Sequence, residues 1–234
     1  MFWQPGRLLM KQPSVPTGKK LTFLEELKLQ RWDDHRYYHH SRINQSLHLL
    51  SATCFLTTYA LLIFNPTVAA LLGWIVAMSA RQIGHFFFEP KTYDEVNHAT
   101  HEHKEDIKVG YNLFRKRILQ SAWALTPFVL YINPTFFGVF EAHTSLDGFL
   151  ANLGIMWIWL AVIALIVRTV HLFFIYNVQT GLVLATKILT DPFHDFKIYF
   201  KSPWYLLRGE LIDPMLYVRD GVDADDDDDE PALA

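Results

Sequence analysis

Cysteine is almost absent from this chain of 234 residues, because Cys54 is the only one. One cysteine cannot build an internal disulfide framework or a Cys-rich zinc or iron–sulfur site. Any metal must therefore be held by histidine and carboxylate. The N-terminal residues also lack the short apolar core and small-residue cleavage site of a signal peptide. We therefore expect the first membrane span to act as the insertion signal, without cleavage.

Charged residues are missing from three long stretches, although 21 Lys+Arg, 24 Asp+Glu and 51% hydrophobic residues are not extreme values. The uncharged stretches are residues 43–80, 118–140 and 148–167. A bilayer-spanning helix needs about 20 mostly apolar residues, so the first stretch is long enough for two spans. Asn65-Pro66 is a turn signal that divides it. This pattern excludes intrinsic disorder and argues against a soluble enzyme.

The sequence thus predicts an all-α fold, a polytopic membrane helical bundle with about four transmembrane helices. Residues 1–46 are expected to form a cytosolic arm and an amphipathic helix that starts near Leu21. Residues 47–176 are expected to form the membrane bundle, with a cytosolic His-rich loop at 89–117. Residues 177–234 are expected to form a cytosolic C-terminal segment with an acidic disordered tail. The four spans are predicted at 47–64, 67–88, 118–140 and 149–176, and a fifth helix over 169–186 stays open.

Basic residues predict the orientation of the chain. Eight Lys and Arg precede Ile43, six lie between Lys91 and Arg117, and five follow Asn177. Because such residues collect on cytoplasmic loops, both termini are expected in the cytosol. The protein is then an integral membrane protein of a bacterial inner membrane or the endoplasmic reticulum. Its basic residues are spread along the cytosolic flanks, so no nucleic-acid partner is expected.

Histidine is abundant, with 11 residues, and the predicted topology puts every one except His143 on the cytosolic face. Residues three or four apart share one face of a helix. That spacing brings together His35 with His39, His40 with Asn44 and His48, and His98 with His101.

Several carboxylates accompany these histidines, and the candidates are Glu89, Glu102 and Glu105. Imidazole and carboxylate without thiolate suit Fe²⁺, while zinc and manganese stay open. Arg81 and Arg168 could snorkel to the interface or bind a substrate carboxylate at the inner membrane surface. The alternative for the histidines is a purely structural hydrogen-bonding role.

Two short motifs carry a family resemblance. The first is His39-x-Ser41-x-x-Asn44-x-x-x-His48, and the second is Gln82-Ile83-Gly84-His85-x-x-x-Glu89, after the helical hairpin. Together they resemble the signature of the membrane 2-hydroxy fatty acid dioxygenases, the α-oxidation enzymes of fungi and bacteria. The resemblance covers roughly residues 35–90. Ser41 departs from it, since the family usually has Asn there.

This resemblance implies an Fe²⁺-dependent membrane dioxygenase that uses O2 to remove one carbon from a 2-hydroxy fatty acid or a related lipid. It implies His39, His48 and His85 as metal ligands, with His40, His101 and His103 as further metal candidates. The catalytic residues expected beside them are Asn44, which would orient a ligand, Glu89, a further ligand candidate, and Arg81 or Arg168, which would hold the substrate carboxylate.

Two other functions stay open at this point. One is a di-iron membrane hydroxylase or desaturase, because His35-x-x-x-His39-His40 and His98-x-x-His101-x-His103 are loosely similar to the His-boxes of those enzymes. His171, however, has no paired histidine nearby. The other is a non-enzymatic membrane scaffold or metal-handling protein. A homo-oligomer is also left open.

Overall fold

The structure is a computed structural model that describes residues 21–89 and 91–215. The predicted arm over residues 1–20 and the predicted acidic tail lie outside the described residues. Between Leu21 and Met215 the described chain contains helices and no β-strand, so the all-α prediction is confirmed for this part.

The helices are numbered here in chain order. They are α1 (Phe23–Tyr38), α2 (Arg42–Phe64), α3 (Pro66–Phe88), α4 (His101–Ile107), α5 (Leu113–Ile132), α6 (Leu146–Ile175), α7 (Val178–Tyr199) and α8 (Ser202–Leu207). Helix α3 is irregular, because it contains two π-helical stretches, Leu72–Met78 and Gly84–Phe88.

Three of these helices, α2, α3 and α6, are long and apolar enough to cross a membrane. The prediction of a membrane helical bundle is confirmed to that extent. Helix α5 stands where a span over 118–140 was expected, but it is not among the three. It ends at Ile132, before Pro134, and the basic residues Arg115, Lys116 and Arg117 occupy its first turns.

The turn between the first two spans lies where the sequence predicts it. Asn65 ends α2 and also caps α3, since its Oδ1 accepts the Val68 N–H at 3.1 Å. Pro66 occupies the first turn of α3, where a missing N–H has no cost. The hairpin α2–α3 is therefore set by two adjacent residues.

The amphipathic helix predicted to reach residue 46 ends earlier. Helix α1 stops at Tyr38, and Ser41 caps a new helix because its Oγ accepts the Asn44 N–H at 3.4 Å. Serine is a favoured N-cap residue, and this cap starts the first span at Arg42 instead of residue 47. His39 and His40 consequently lie in a connection. His40 does not share the α2 face of Asn44.

The bundle also extends beyond residue 176, where the sequence-based boundary was set. Asn177 caps α7, with its Oδ1 accepting the Thr180 N–H at 2.9 Å. Helix α7 packs against α1, α2 and α6. The segment 169–186, where a fifth membrane helix stayed open, is therefore divided near Asn177 between α6 and α7, and α7 is not among the helices that could cross a membrane.

One glycine sets how closely α3 approaches α2. A Cβ atom at Gly84 would lie 2.1 Å from Asn44 Oδ1 and 3.5 Å from His48 Cδ2. Contacts under 3 Å between such atoms are excluded by sterics, so the two helices meet here only because the side chain is a hydrogen.

Gly84→Ala should therefore force α3 away from α2 and lower the free energy of unfolding by about 1–3 kcal/mol, the usual cost of overpacking. Thermal unfolding of the full chain in detergent measures the effect. Gly110→Ala is the matched control, because its Cβ would meet Leu184 Cδ1 at an ordinary 3.6 Å. Equal melting temperatures for the two variants would contradict the expectation.

Candidate metal centre

Three buried histidines from different parts of the chain meet at one point. His39 comes from the connection after α1, His48 from the second turn of α2, and His85 from the π-helical stretch of α3. One ring nitrogen of each lies within 4.8 Å of the others. The ring centroids of His39 and His48 are 4.2 Å apart, and those of His48 and His85 are 4.8 Å apart. Among the described residues this is the one group of histidine, cysteine and carboxylate side chains that could hold a metal ion.

The local structure explains how the sequence places His39. Its backbone N–H donates to the His35 carbonyl at 3.1 Å, as the end of α1. Its carbonyl accepts the Gln45 side-chain amide at 2.8 Å. Gln45 also donates to Asp213 Oδ2 at 2.9 Å, and the Asp213 N–H donates to the His40 carbonyl at 2.7 Å. The C-terminal segment around Asp213 thus supports the connection that carries His39.

His85 lies in irregular helix for a related reason. In the π-helical stretch Gly84–Phe88 the backbone hydrogen bonds join residues five apart instead of four. Such stretches are often found at functional sites. This one begins at Gly84, where α3 touches Asn44. The amide of Asn44 donates to the Tyr38 carbonyl at 2.8 Å. Asn44 therefore holds the end of α1 against α2. It was predicted to orient a metal ligand, and here its amide contacts the backbone and not a ligand ring nitrogen.

In all three imidazoles the Nδ1 atom faces an oxygen acceptor. His39 Nδ1 lies 2.8 Å from the Asp34 carbonyl, and His85 Nδ1 lies 2.7 Å from Glu89 Oε2. His48 Nδ1 lies 3.5 Å from Asp195 Oδ2. For His39 and His85 these hydrogen bonds favour the proton on Nδ1 and leave Nε2 available, which is how metal-ligating histidines are usually oriented. His48 Nδ1 has no hydrogen-bond partner among the described residues. Glu89 was predicted as a ligand candidate, and the structure places it behind a ligand candidate instead.

The two imidazoles of His39 and His48 oppose each other in a way that favours a cation. Their Nε2 atoms are 3.2 Å apart. If His39 and His48 both carry their proton on Nδ1, the lone pairs of their two Nε2 atoms face each other. If His48 instead carries it on Nε2, its Nδ1 lone pair faces the Asp195 carboxylate and has no hydrogen-bond donor. A cation bound by both Nε2 atoms removes the conflict.

The distance between His39 Nε2 and His48 Nε2 also suits two ligands of one metal ion. Metal–nitrogen bonds of about 2.0–2.1 Å put two ligands of the same ion about 3 Å apart, close to the observed 3.2 Å. Burial and the neighbouring His48 lower the pKa of His39 well below its usual value. His39 is therefore neutral at pH 7, and a neutral imidazole is the form that binds metal.

A buried network of opposite charges surrounds this group. Arg81 donates to Asp195 at 2.8 Å, and Lys187 bonds Asp191 at 2.6 Å and Asp34 at 3.1 Å. Burial would raise the pKa of the Asp195 carboxyl, but Arg81 and His48 hold it well below its usual value. Asp195 is thus an anion that faces His48.

The sequence interpretation missed this network, although a signal for it exists. Lys187, Asp191 and Asp195 recur every four residues in α7, and such spacing puts them on one helix face. In an otherwise apolar amphipathic helix, a charged stripe of this kind indicates a buried partner. Its partners lie on α1, α2 and α3, namely Asp34, His48 and Arg81.

The other predicted metal residues lie outside the group of three. His40 Nε2 lies 2.5 Å from the Arg36 carbonyl and 3.4 Å from Asp94 Oδ2. His101 and His103 lie on α4, and neither belongs to a candidate metal group among the described residues. The resemblance gave these three histidines only as further candidates, and the structure does not bring them to the three that converge.

The two arginines predicted to hold a substrate carboxylate already have partners. Arg81 is engaged with Asp195. The Arg168 guanidinium donates to the Val109 carbonyl and lies 2.9 Å from His171 Nδ1. Arg168 thus fastens the loop before α5 to α6.

A cavity with a volume of about 450 Å³ lies beside His85. Its polar end includes His85, Arg81 and Tyr38, and its remaining wall is largely apolar. This volume falls within the range of small-molecule sites. The apolar wall is contributed mainly by α2, α3, α5, α6 and α7, through Phe55, Leu62, Met78, Leu119, Val162, Leu165 and Ile188.

Comparison with protein-family models, with curated proteins and with solved structures gives no match to this chain. The resemblance to the 2-hydroxy fatty acid dioxygenases therefore rests on the two motifs over residues 35–90. Five polar residues of these motifs, His39, Asn44, His48, His85 and Glu89, lie at the candidate metal centre or directly behind it.

Glu89→Gln should weaken metal binding about 10- to 100-fold, because the amide orients His85 less well and does not increase its basicity. Metal affinity is measured by titrating the metal-free full chain with Fe²⁺ under anaerobic conditions. Glu102→Gln is the control, since Glu102 is exposed on α4 and should leave the affinity unchanged. Equal affinities for both variants would show that Glu89 does not support a metal ligand.

Proposed function

We propose that this protein is a membrane-bound, Fe²⁺-dependent dioxygenase that shortens a 2-hydroxy fatty acid or related lipid by one carbon. The observation that carries the proposal is the convergence of three buried imidazoles, His39, His48 and His85, beside a largely apolar cavity. His85 belongs to both, because its ring lies in the group of three and it also lines the cavity. A ligand in the cavity would thus reach the metal ligands directly.

The donor set fits an iron ion that keeps open positions. Three neutral imidazoles provide three ligands, and no fourth protein ligand lies within the group among the described residues. When bound, Fe²⁺ would supply the redox chemistry for O2 and coordinate the adjacent hydroxyl and carboxylate oxygens of the substrate. The two motifs shared with the dioxygenases support iron over zinc.

Residues of the protein would position the metal ligands and exclude water from the reacting end of the substrate. His39, His48 and His85 are 2%, 0% and 6% exposed, so the reacting end of the substrate would be shielded from solvent. The Asp34 carbonyl and Glu89 each hold one imidazole through its Nδ1 atom, and Asp195 lies 3.5 Å from His48 Nδ1. The apolar wall would align the acyl chain with the membrane spans and leave its first carbons near His85.

The two alternative functions have less support. A di-iron hydroxylase needs a second set of ligands, and the described residues contain one group that could hold a metal. A metal-handling protein has no need of a large apolar cavity beside the metal ligands. Metal stoichiometry and substrate-dependent O2 uptake separate all three functions.

We expect the protein purified anaerobically in detergent to hold about one iron per chain, and His48→Ala and His85→Ala to lose it, because each removes one of three ligands. Elemental analysis measures the content. Wild-type protein should then consume O2 only when a 2-hydroxy fatty acid is added and should release an acid one carbon shorter.

His143→Ala is the control, because His143 lies far from the group in sequence and belongs to no candidate metal group among the described residues. It should keep both iron and activity. Circular dichroism and size-exclusion profiles show whether the variants fold. Two irons per chain would favour the di-iron hydroxylase, and folded variants with no metal in any sample would overturn both enzyme functions.

A further inference from the structure

The charged end of the cavity contains four basic side chains, and two of them are already neutralised. Arg81 and Lys187 line the cavity and are paired with Asp195 at 2.8 Å and Asp191 at 2.6 Å. The other two are Lys108, after α4, and Lys116, in the first turn of α5. Lys108 has its nearest carboxylate oxygen at 4.0 Å, and the Lys116 side chain forms no ion pair with a described residue.

Lys108 is buried without a hydrogen-bond acceptor. Its side chain is 8% exposed, and its Nζ atom has no hydrogen-bond partner among the described residues. The nearest carboxylate oxygen, Asp34 Oδ1, lies 4.0 Å away, while Asp34 Oδ2 bonds Lys187 at 3.1 Å. The Tyr38 ring, 3.1 Å from Nζ, provides a cation–π contact but no acceptor. A buried ammonium group without an acceptor is costly.

Lys116 is the second basic side chain of the cavity without an acceptor for its ammonium group in the described part of the chain. Its side chain forms no hydrogen bond or ion pair with any described residue. Burial and the nearby Lys108 ammonium lower its pKa. Glu89, which also acts on Lys116, is held by His85 at 2.7 Å. An anion in the cavity would satisfy both lysines at once.

We propose that Lys108 and Lys116 form the head-group site of the cavity and bind the carboxylate of a single-chain amphiphile whose tail lies along the apolar wall. The inference deepens the proposed function and rests on it for the 2-hydroxy acid as the substrate. It assigns carboxylate binding to these two lysines instead of Arg81 or Arg168, the residues expected from the sequence. The apolar side chains of Phe55, Leu62 and Val162 provide the surface for the tail.

Head-group selectivity can be measured without metal or O2, which separates this proposal from the dioxygenase. The full chain, stripped of metal by a chelator and placed in nanodiscs of neutral lipid, is titrated with hexadecanoic acid, hexadecanol or hexadecyl phosphate. Fluorescence of Trp74, which lines the cavity, can report binding. Wild-type protein should bind the acid at least about tenfold more tightly than the alcohol.

Lys108→Gln and Lys116→Gln should each weaken binding of the acid about tenfold, because each removes one charged hydrogen bond. Binding of hexadecanol should change less than about twofold, since it carries no charge. Arg117→Gln is the matched control: it removes an exposed basic residue next to Lys116 and should leave both ligands unaffected. Lys108→Arg, which keeps the charge, should retain acid binding.

Equal affinity of wild-type protein for the acid and the alcohol would overturn the proposal. So would unchanged acid binding in both glutamine variants, failure of Lys108→Arg to bind the acid, or tighter binding of the phosphate. A protein without iron or O2 consumption that still selects the acid through these lysines would overturn the dioxygenase and leave the head-group site intact.

Discussion

The arrangement of this molecule depends on the close approach of two imidazole nitrogens, His39 Nε2 and His48 Nε2, which lie 3.2 Å apart in a buried site. Two such atoms approach this closely without repulsion only when a proton or a cation lies between them. The oxygens behind their Nδ1 atoms, from Asp34 and Asp195, favour a cation. The surrounding helices hold the rings in this geometry, and His85 completes the set.

Charged residues of α7 connect the candidate metal ligands with the other helices of the bundle. Asp195 faces His48 and also pairs with Arg81 of α3, while Lys187 pairs with Asp34 of α1 and with Asp191 of α7. Removing one member of such a buried network leaves an uncompensated charge, which is strongly destabilising. The same contacts that tie four helices together therefore orient the candidate metal ligands.

The location of the cavity connects this centre with a membrane. Helices α2, α3 and α6 are long and apolar enough to cross a bilayer, and all three contribute to the cavity wall. An apolar ligand could thus remain among the spans while its polar end contacts His85, Lys108 and Lys116.

By itself the sequence determined the all-α character, the helices long and apolar enough to cross a membrane, and the Asn65-Pro66 turn, because uncharged runs and turn residues are encoded by neighbouring positions. The family resemblance placed His39, His48 and His85 ahead of His40, His101 and His103 as expected metal ligands, but only the three-dimensional structure brings the first three together. Only the tertiary structure decided that Asp195 stands behind His48, that Arg81 and Arg168 are already engaged, and that Lys108 Nζ has no hydrogen-bond acceptor among the described residues. Those contacts join residues far apart in the chain, and side-chain periodicity carries no information about which distant helix supplies a partner.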